Sequence, residues 1–251
     1  MFSNHKVEYG ELDKENQKAN INISLVPKTI ANDMAVKVTV GSETVQMQKN
    51  GNEFSADILV GLFEEYNTFP LITITSNGET KTEYLEEHSL SYIWTNYLPT
   101  MRGGRIRSHK ASWSGNALTV DGEFEIGFNL AELNKDIRFT KYNLITELNG
   151  KEISNEDITK TVLAGIVDDA NFGGDFTMNF NKTYKMSEKD TLVLFLVAED
   201  SLGYLHKSCA FSWTHPDADG ASTEPAHAVQ EVYAGEIILD KDGKVLFGKG
   251  L

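Results

Sequence analysis

Apolar residues in this chain recur at every second position, in short runs. Ile21, Ile23 and Leu25 share one parity; so do Val36, Val38 and Val40, then Phe54, Ala56 and Ile58, then Ile72 and Ile74. Successive side chains of a strand point to opposite faces, so each run predicts a strand with one buried side. Lys49-Asn50-Gly51-Asn52 and Ser76-Asn77-Gly78-Glu79 punctuate the runs. Asn-Gly tolerates positive φ at both positions and favours a tight hairpin.

The second half repeats the scheme. Phe124, Ile126, Phe128 and Leu130 form one face, and Tyr142, Leu144, Thr146 and Leu148 another. Phe176, Met178 and Phe180 follow, then a fully apolar run over residues 192–198, and Asn149-Gly150 is again a hairpin signal. Short strands with frequent turns predict an all-β chain of antiparallel sandwiches. The halves read as a duplication. Tyr84-Leu85, Ser89 and Trp94 resemble Tyr204-Leu205, Ser208 and Trp213 with one residue deleted, at an offset of about 120 residues. The expected organisation is two tandem immunoglobulin-like sandwiches. Residues 1–100 hold the first, with an N-terminal extension, and residues 101–215 the second. Ser154 is a good N-cap, and Ile158, Val162, Leu163 and Ile166 follow at helical spacing, so a short helix is expected inside the second module.

Residues 216–251 read as a linker and a β-hairpin, with Lys241-Asp242-Gly243 at the turn. An isolated hairpin is marginal in water, so Ile237, Leu239, Val245 and Phe247 need a covering surface. Docking by strand addition on another chain is the expectation, and folding back on the second module the alternative.

Charge narrows the partners. The net charge is −14, which repels nucleic acid and anionic membrane, so neither is expected as a partner. Against that background Arg102, Arg105 and Arg107, with His109 and Lys110, form a basic cluster. It reads either as a docking patch for an acidic partner or as a set of charges paired with the protein's own acids. Cys209 is the sole cysteine, so no intramolecular disulfide forms, and its apolar neighbours predict a buried, inert thiol. The N-terminus lacks the apolar core of a secretory signal, and no apolar run is long enough to span a bilayer, so synthesis in the cytoplasm is expected.

The motifs of chemistry are sparse. Asp168, Asp169, Asn171 and Asp175 make an acidic loop with oxygen ligands for calcium, but the glycines Gly173 and Gly174 favour a solvated turn. Asp217-x-Asp219-Gly220 and Asp240-x-Asp242-Gly243 echo the start of a calcium loop without its closing glutamate. The six histidines show no pair at ligand spacing. No Gly-x-Ser-x-Gly elbow or phosphate loop occurs. No catalytic residue, metal or cofactor is therefore expected. Trp94, Trp113 and Trp213 read as core plugs in preference to a sugar-stacking platform.

Tandem sandwiches, an acidic surface and the C-terminal string Glu-Ile-Ile-Leu-Asp-Lys-Asp-Gly-Lys-Val-Leu-Phe-Gly together resemble the tail, baseplate and decoration proteins of tailed-bacteriophage virions. That resemblance implies a non-enzymatic structural protein of the virion. It would assemble as a homo-oligomer with other virion chains and be able to meet a host-surface glycan. A bacterial adhesin or carbohydrate-binding module is the alternative, which an exposed aromatic stripe would mark.

Overall fold

The computed structural model describes residues 1–64, 69–169, 173–187, 189–214 and 235–248; within these, the side chains of residues 108, 109, 111, 113 and 167–169 are not described. The chain divides into two compact units, Met1–Trp94 and Thr95–Leu251. The boundary lies a few residues before the one expected from the sequence. Every strand pairing described is antiparallel.

The first unit contains β1 (Phe2–Asp13), β2 (Lys18–Pro27), β3 (Ala35–Val40), β4 (Glu43–Gln46), β5 (Gln48–Asn50), β6 (Glu53–Gly61), β7 (Leu71–Ser76) and β8 (Glu79–Tyr84). They form two sheets, ordered β1-β2-β6-β5 and β4-β3-β7-β8. The alternation read from the sequence is the burial pattern. Ile21, Ile23, Val36, Val38 and Ile72 are fully buried, whereas their strand neighbours face outward. Asn77 and Gly78 both take positive φ, at 53° and 77°, and turn β7 into β8. The N-terminal extension is itself a strand. β1 runs along β2 as an edge, and its polar sequence hides it from a search for apolar alternation.

The second unit contains β9 (Thr100–Ser114), β10 (Ala117–Asn129), β11 (Phe139–Leu148) and β12 (Lys151–Asp157), then the helix α1 (Thr159–Gly165). β13 (Val167–Asp169), β14 (Gly173–Lys185), β15 (Thr191–Asp200), β16 (Leu205–Thr214), β17 (Ile237–Leu239) and β18 (Val245–Phe247) complete it. One sheet is ordered β13-β14-β10-β9 and the other β12-β11-β15-β16-β17-β18. Between them lies a core that includes Phe124, Ile126, Tyr142, Leu144, Leu194 and Leu196.

Up to the eighth strand, the two units have the same topology. Strands one, two, six and five make one sheet in each, and strands four, three, seven and eight the other. The motif expected to carry the repeat does not carry it. Tyr84 ends the eighth strand of its unit, whereas Tyr204 precedes the eighth strand of the other. Trp94 sits in a 3-10 turn (Ile93–Asn96) and Trp213 near the end of β16. The repeat is one of strand order, and the shared residue string is not at equivalent places.

Two further expectations are corrected. Ser154 does not cap a helix. It lies on β12, opposite Thr146 of β11, because the ladder with β11 claims the backbone through Asp157. The helix starts at Thr159, whose amide donates to Asp157 Oδ1 at 2.9 Å and whose hydroxyl accepts from the Tyr142 amide at 2.9 Å. The C-terminal hairpin is seated on its own chain, with Ile237, Ile238 and Leu239 of β17 opposite Lys207, His206 and Leu205 of β16. Ile237 and Phe247 are buried there, while Val245 is exposed. Docking in trans gives way to strand addition in cis, because the edge of β16 supplies the backbone partners the hairpin lacks.

Gly173 tests the β10–β14 junction. Its φ is 128°, and a Cβ would stand 2.0 Å from the Phe128 carbonyl oxygen, so backbone must move to admit one. Gly173→Ala is expected to destabilise the second unit by about 3 kcal/mol, a fall in Tm of roughly 6–12 °C by calorimetry. An unchanged melting transition would contradict the β10–β14 register.

Candidate functional site

Four side-chain groups qualify as candidates on chemistry: the arginines of β9, the thiol of β16, a pair of histidines in the first unit and a buried histidine in the second.

Arg102, Arg105 and Arg107 project from β9 and are each about half exposed. All three meet acids of the same sheet. Arg102 Nη2 lies 2.7 Å from Asp175 Oδ1, and Arg105 Nε 2.7 Å from Glu125 Oε2, which Arg107 also pairs with. The hydrogen bond from Arg105 chiefly holds the Glu125 carboxyl below its ordinary range, aided by both arginine charges and opposed by burial. The arginines follow the alternative of pairing with the protein's own acids: on an acidic chain, cross-strand register delivers a carboxylate to each guanidinium. His109 lies on β9 but its side chain is outside the described residues; Lys110 is exposed.

Asp175 of the acidic loop is engaged with Arg102, and β13 places Asp168 and Asp169 opposite Gly174 and Gly173 as the arm of a hairpin. The side chains of Asp168 and Asp169, and all of Asn171, lie outside the described residues, as does Asp217-x-Asp219-Gly220. Asp240 Oδ1 accepts from the amides of Asp242 and Lys244, each at 2.9 Å, so that motif is a turn. Among the described residues no group of three or more His, Cys, Asp or Glu is placed to hold a metal ion. Trp94 and Trp213 are buried and offer no stacking face; Trp113's side chain is outside the described residues.

The fold brings together two histidines that are far apart in sequence. His5 of β1 meets His88, ring centroids 5.1 Å apart and edge to face, with Glu87 Oε2 3.6 Å from His5 Nε2. A cleft of about 410 Å³ also opens in the first unit, lined by Met1, Pro27, Met34, Ile74, Lys28 and Lys81 among others.

The densest polar constellation is in the second unit and was not legible as a motif. His206 is completely buried on β16. Its Nδ1 lies 2.6 Å from Glu236 Oε1 and its Nε2 3.2 Å from Asp200 Oδ2, and its ring stands edge-on to Phe139 at 4.9 Å. Asp200 Oδ1 accepts the amides of Leu202 at 2.8 Å and Tyr204 at 3.1 Å. Glu236 Oε1 also accepts the Met101 amide of β9 at 3.1 Å. Burial pulls the imidazole pKa down, but the hydrogen bonds and charges of Asp200 and Glu236 outweigh it and hold it above its ordinary value. With both ring nitrogens engaged and the ring closed to solvent, the arrangement is an ion clamp joining β9, β15, β16 and the hairpin.

No protein-family model and no curated protein matches the chain.

Two expectations follow from the titrating groups. Burial first, partly offset by the Phe211 amide and Lys207, pushes the Cys209 thiol up to about 11. Relative to a thiol at its ordinary value of 9.0, alkylation by iodoacetamide at pH 8 should be roughly a hundredfold slower in the native protein, read by mass spectrometry, and equal in denaturant. Fast native labelling would show an open site. His88 has a lowered pKa, through burial and then His5, with Glu87 opposing. The unfolded chain therefore takes up the proton first as the pH falls below 6.5. Hydrogen-exchange protection in the first unit should be flat above that pH and fall below it, and His88→Asn should remove part of that fall.

Proposed function

We propose that this protein is a non-enzymatic structural and interaction protein built from two immunoglobulin-like modules, with a tailed-bacteriophage virion as its setting. The repeated strand order carries the reading. Lettered along each unit as A, B, C, C′, D, E, F and G, the sheets are ABED and C′CFG, a strand order that supports an immunoglobulin-like reading with one added strand. Such a module hosts many functions, and the chemistry lies in what its surface meets. The modules are stapled by packing alone, with Cys209 the only cysteine, as suits a protein that matures in a reducing compartment.

Three measurements test the proposal. Antibody raised against the purified protein should decorate intact particles in a fixed ring or at the baseplate by electron microscopy, and the genes flanking its own should encode tail or capsid proteins. Sedimentation across a concentration series should show a closed oligomer of defined size. Unlabelled particles, or flanking genes for export and cell-wall attachment, would replace this reading with that of a surface adhesin.

A further inference from the structure

The hairpin of β17 and β18 is held by little backbone pairing. Three residue pairs join β17 to β16, and Ile237, Ile238 and Phe247 are its buried apolar side chains. A further tie is Glu236, immediately before β17, whose side chain is 9% exposed and reaches His206 and the Met101 amide.

We propose that residues 235–248 form a proton-controlled clasp on the second unit, shut while His206 carries its proton between Asp200 and Glu236 and released when that proton leaves. The charged ring donates two N–H groups, one to each carboxylate. A neutral ring has one N–H to donate, so its loss of a proton turns a lone pair towards a carboxylate oxygen in a site closed to water. One carboxylate must then leave. Asp200 is fixed by the Leu202 and Tyr204 amides and its side chain is wholly buried. Glu236 comes from coil, and moving it carries the hairpin with it. Among the described residues, the charged groups facing His206 are Asp200 from the end of β15 and Glu236 from the hairpin. β9 contributes the Met101 amide and β11 the Phe139 ring. Lys207 and Glu147 pair with each other at 3.0 Å, and Lys207 lies 3.8 Å over the Phe195 ring.

The direction follows from linkage. The shut state holds its proton more tightly than the open state, in which His206 has lost Glu236 and gained water. Docking is therefore strongest on the acid side of the His206 titration and is lost as the pH rises through the raised value. One proton is taken up on closing, so the docking equilibrium falls by up to about tenfold per pH unit in that window.

The test uses the full chain and nuclear magnetic resonance. The His206 ring shifts are followed against pH alongside amide exchange of Ile237, Ile238 and Leu239, each corrected for the intrinsic exchange rate, with amides of β10 and β14 as an internal reference. The expected result is a loss of hairpin protection in step with the His206 titration, above pH 6.5, while the reference amides hold. Glu236→Gln keeps a hydrogen-bonding group but not its charge, and should lower the His206 pKa and flatten the slope to less than about twofold per pH unit. Ile238→Ala loosens the hairpin without touching the cluster; it should lower protection at every pH and keep the slope. Hairpin protection that stays constant while His206 titrates would overturn the proposal, as would an undiminished slope in Glu236→Gln. The wild-type titration decides the matter if either variant fails to fold.

Discussion

The pairing of β15 with β11 on one side and β16 on the other is the interaction on which the second unit depends. Its inward residues Leu192, Leu194, Leu196 and Ala198 are almost wholly buried, and each stands opposite a residue of both neighbours. At about 1.5–3 kcal/mol for each large side chain, this one strand supplies a sizeable share of the apolar stabilisation. Its last residue, Asp200, fixes the turn into β16 through two amide hydrogen bonds and turns its other oxygen to His206. The strand that centres the core therefore also anchors the buried ion clamp.

What the sheets do at their edges follows from the same need to satisfy backbone groups. β8 reads Glu-Thr-Lys-Thr-Glu-Tyr and is largely exposed, and β12 reads Lys-Glu-Ile-Ser-Asn-Glu-Asp and is exposed throughout. Charges along an edge oppose its pairing with another chain. β16 is treated differently: part of its edge is covered by β17, and Lys207 beside it is occupied by Glu147. Surface pairs like those of β9 contribute little to stability in water, whereas breaking a buried pair such as His206–Glu236 leaves an uncompensated charge. The basic cluster that stands out in the sequence is thus the weaker feature of the fold, and a histidine with no motif around it is the stronger.

Much of the architecture was legible in the sequence because burial in a one-sided sheet imposes period two on the chain itself. Val36, Val38 and Val40, or Phe124 and Ile126, report their own environment. Asn149-Gly150 likewise reports a turn, since φ of 52° and 74° suits those two residues and few others. Polar edge strands carry a weak mark or none, because β1 has one face that is only half-buried and β12 is exposed on both. Ser154 shows the limit from the other side: its neighbours have good helix-starting chemistry, and the ladder with β11 overrides it.

The sequence by itself determined that the chain is all-β, where its main inward faces lie, and that Trp94 and Trp213 belong to packed surroundings, whereas Cys209 is only half-buried. These are properties of single residues and their near neighbours. Only the tertiary structure decided that the repeat lies in strand order, with Tyr84 ending its eighth strand and Tyr204 preceding the other. It alone seated the C-terminal hairpin on β16, gave the arginines of β9 their carboxylates, and gathered Asp200, His206 and Glu236 around one imidazole. The physical reason is sequence distance. Glu236 reaches His206 across 30 residues, and His5 reaches His88 from the other end of its unit. Pairings of that kind are set by which strand lies beside which, and no local pattern along the chain records it.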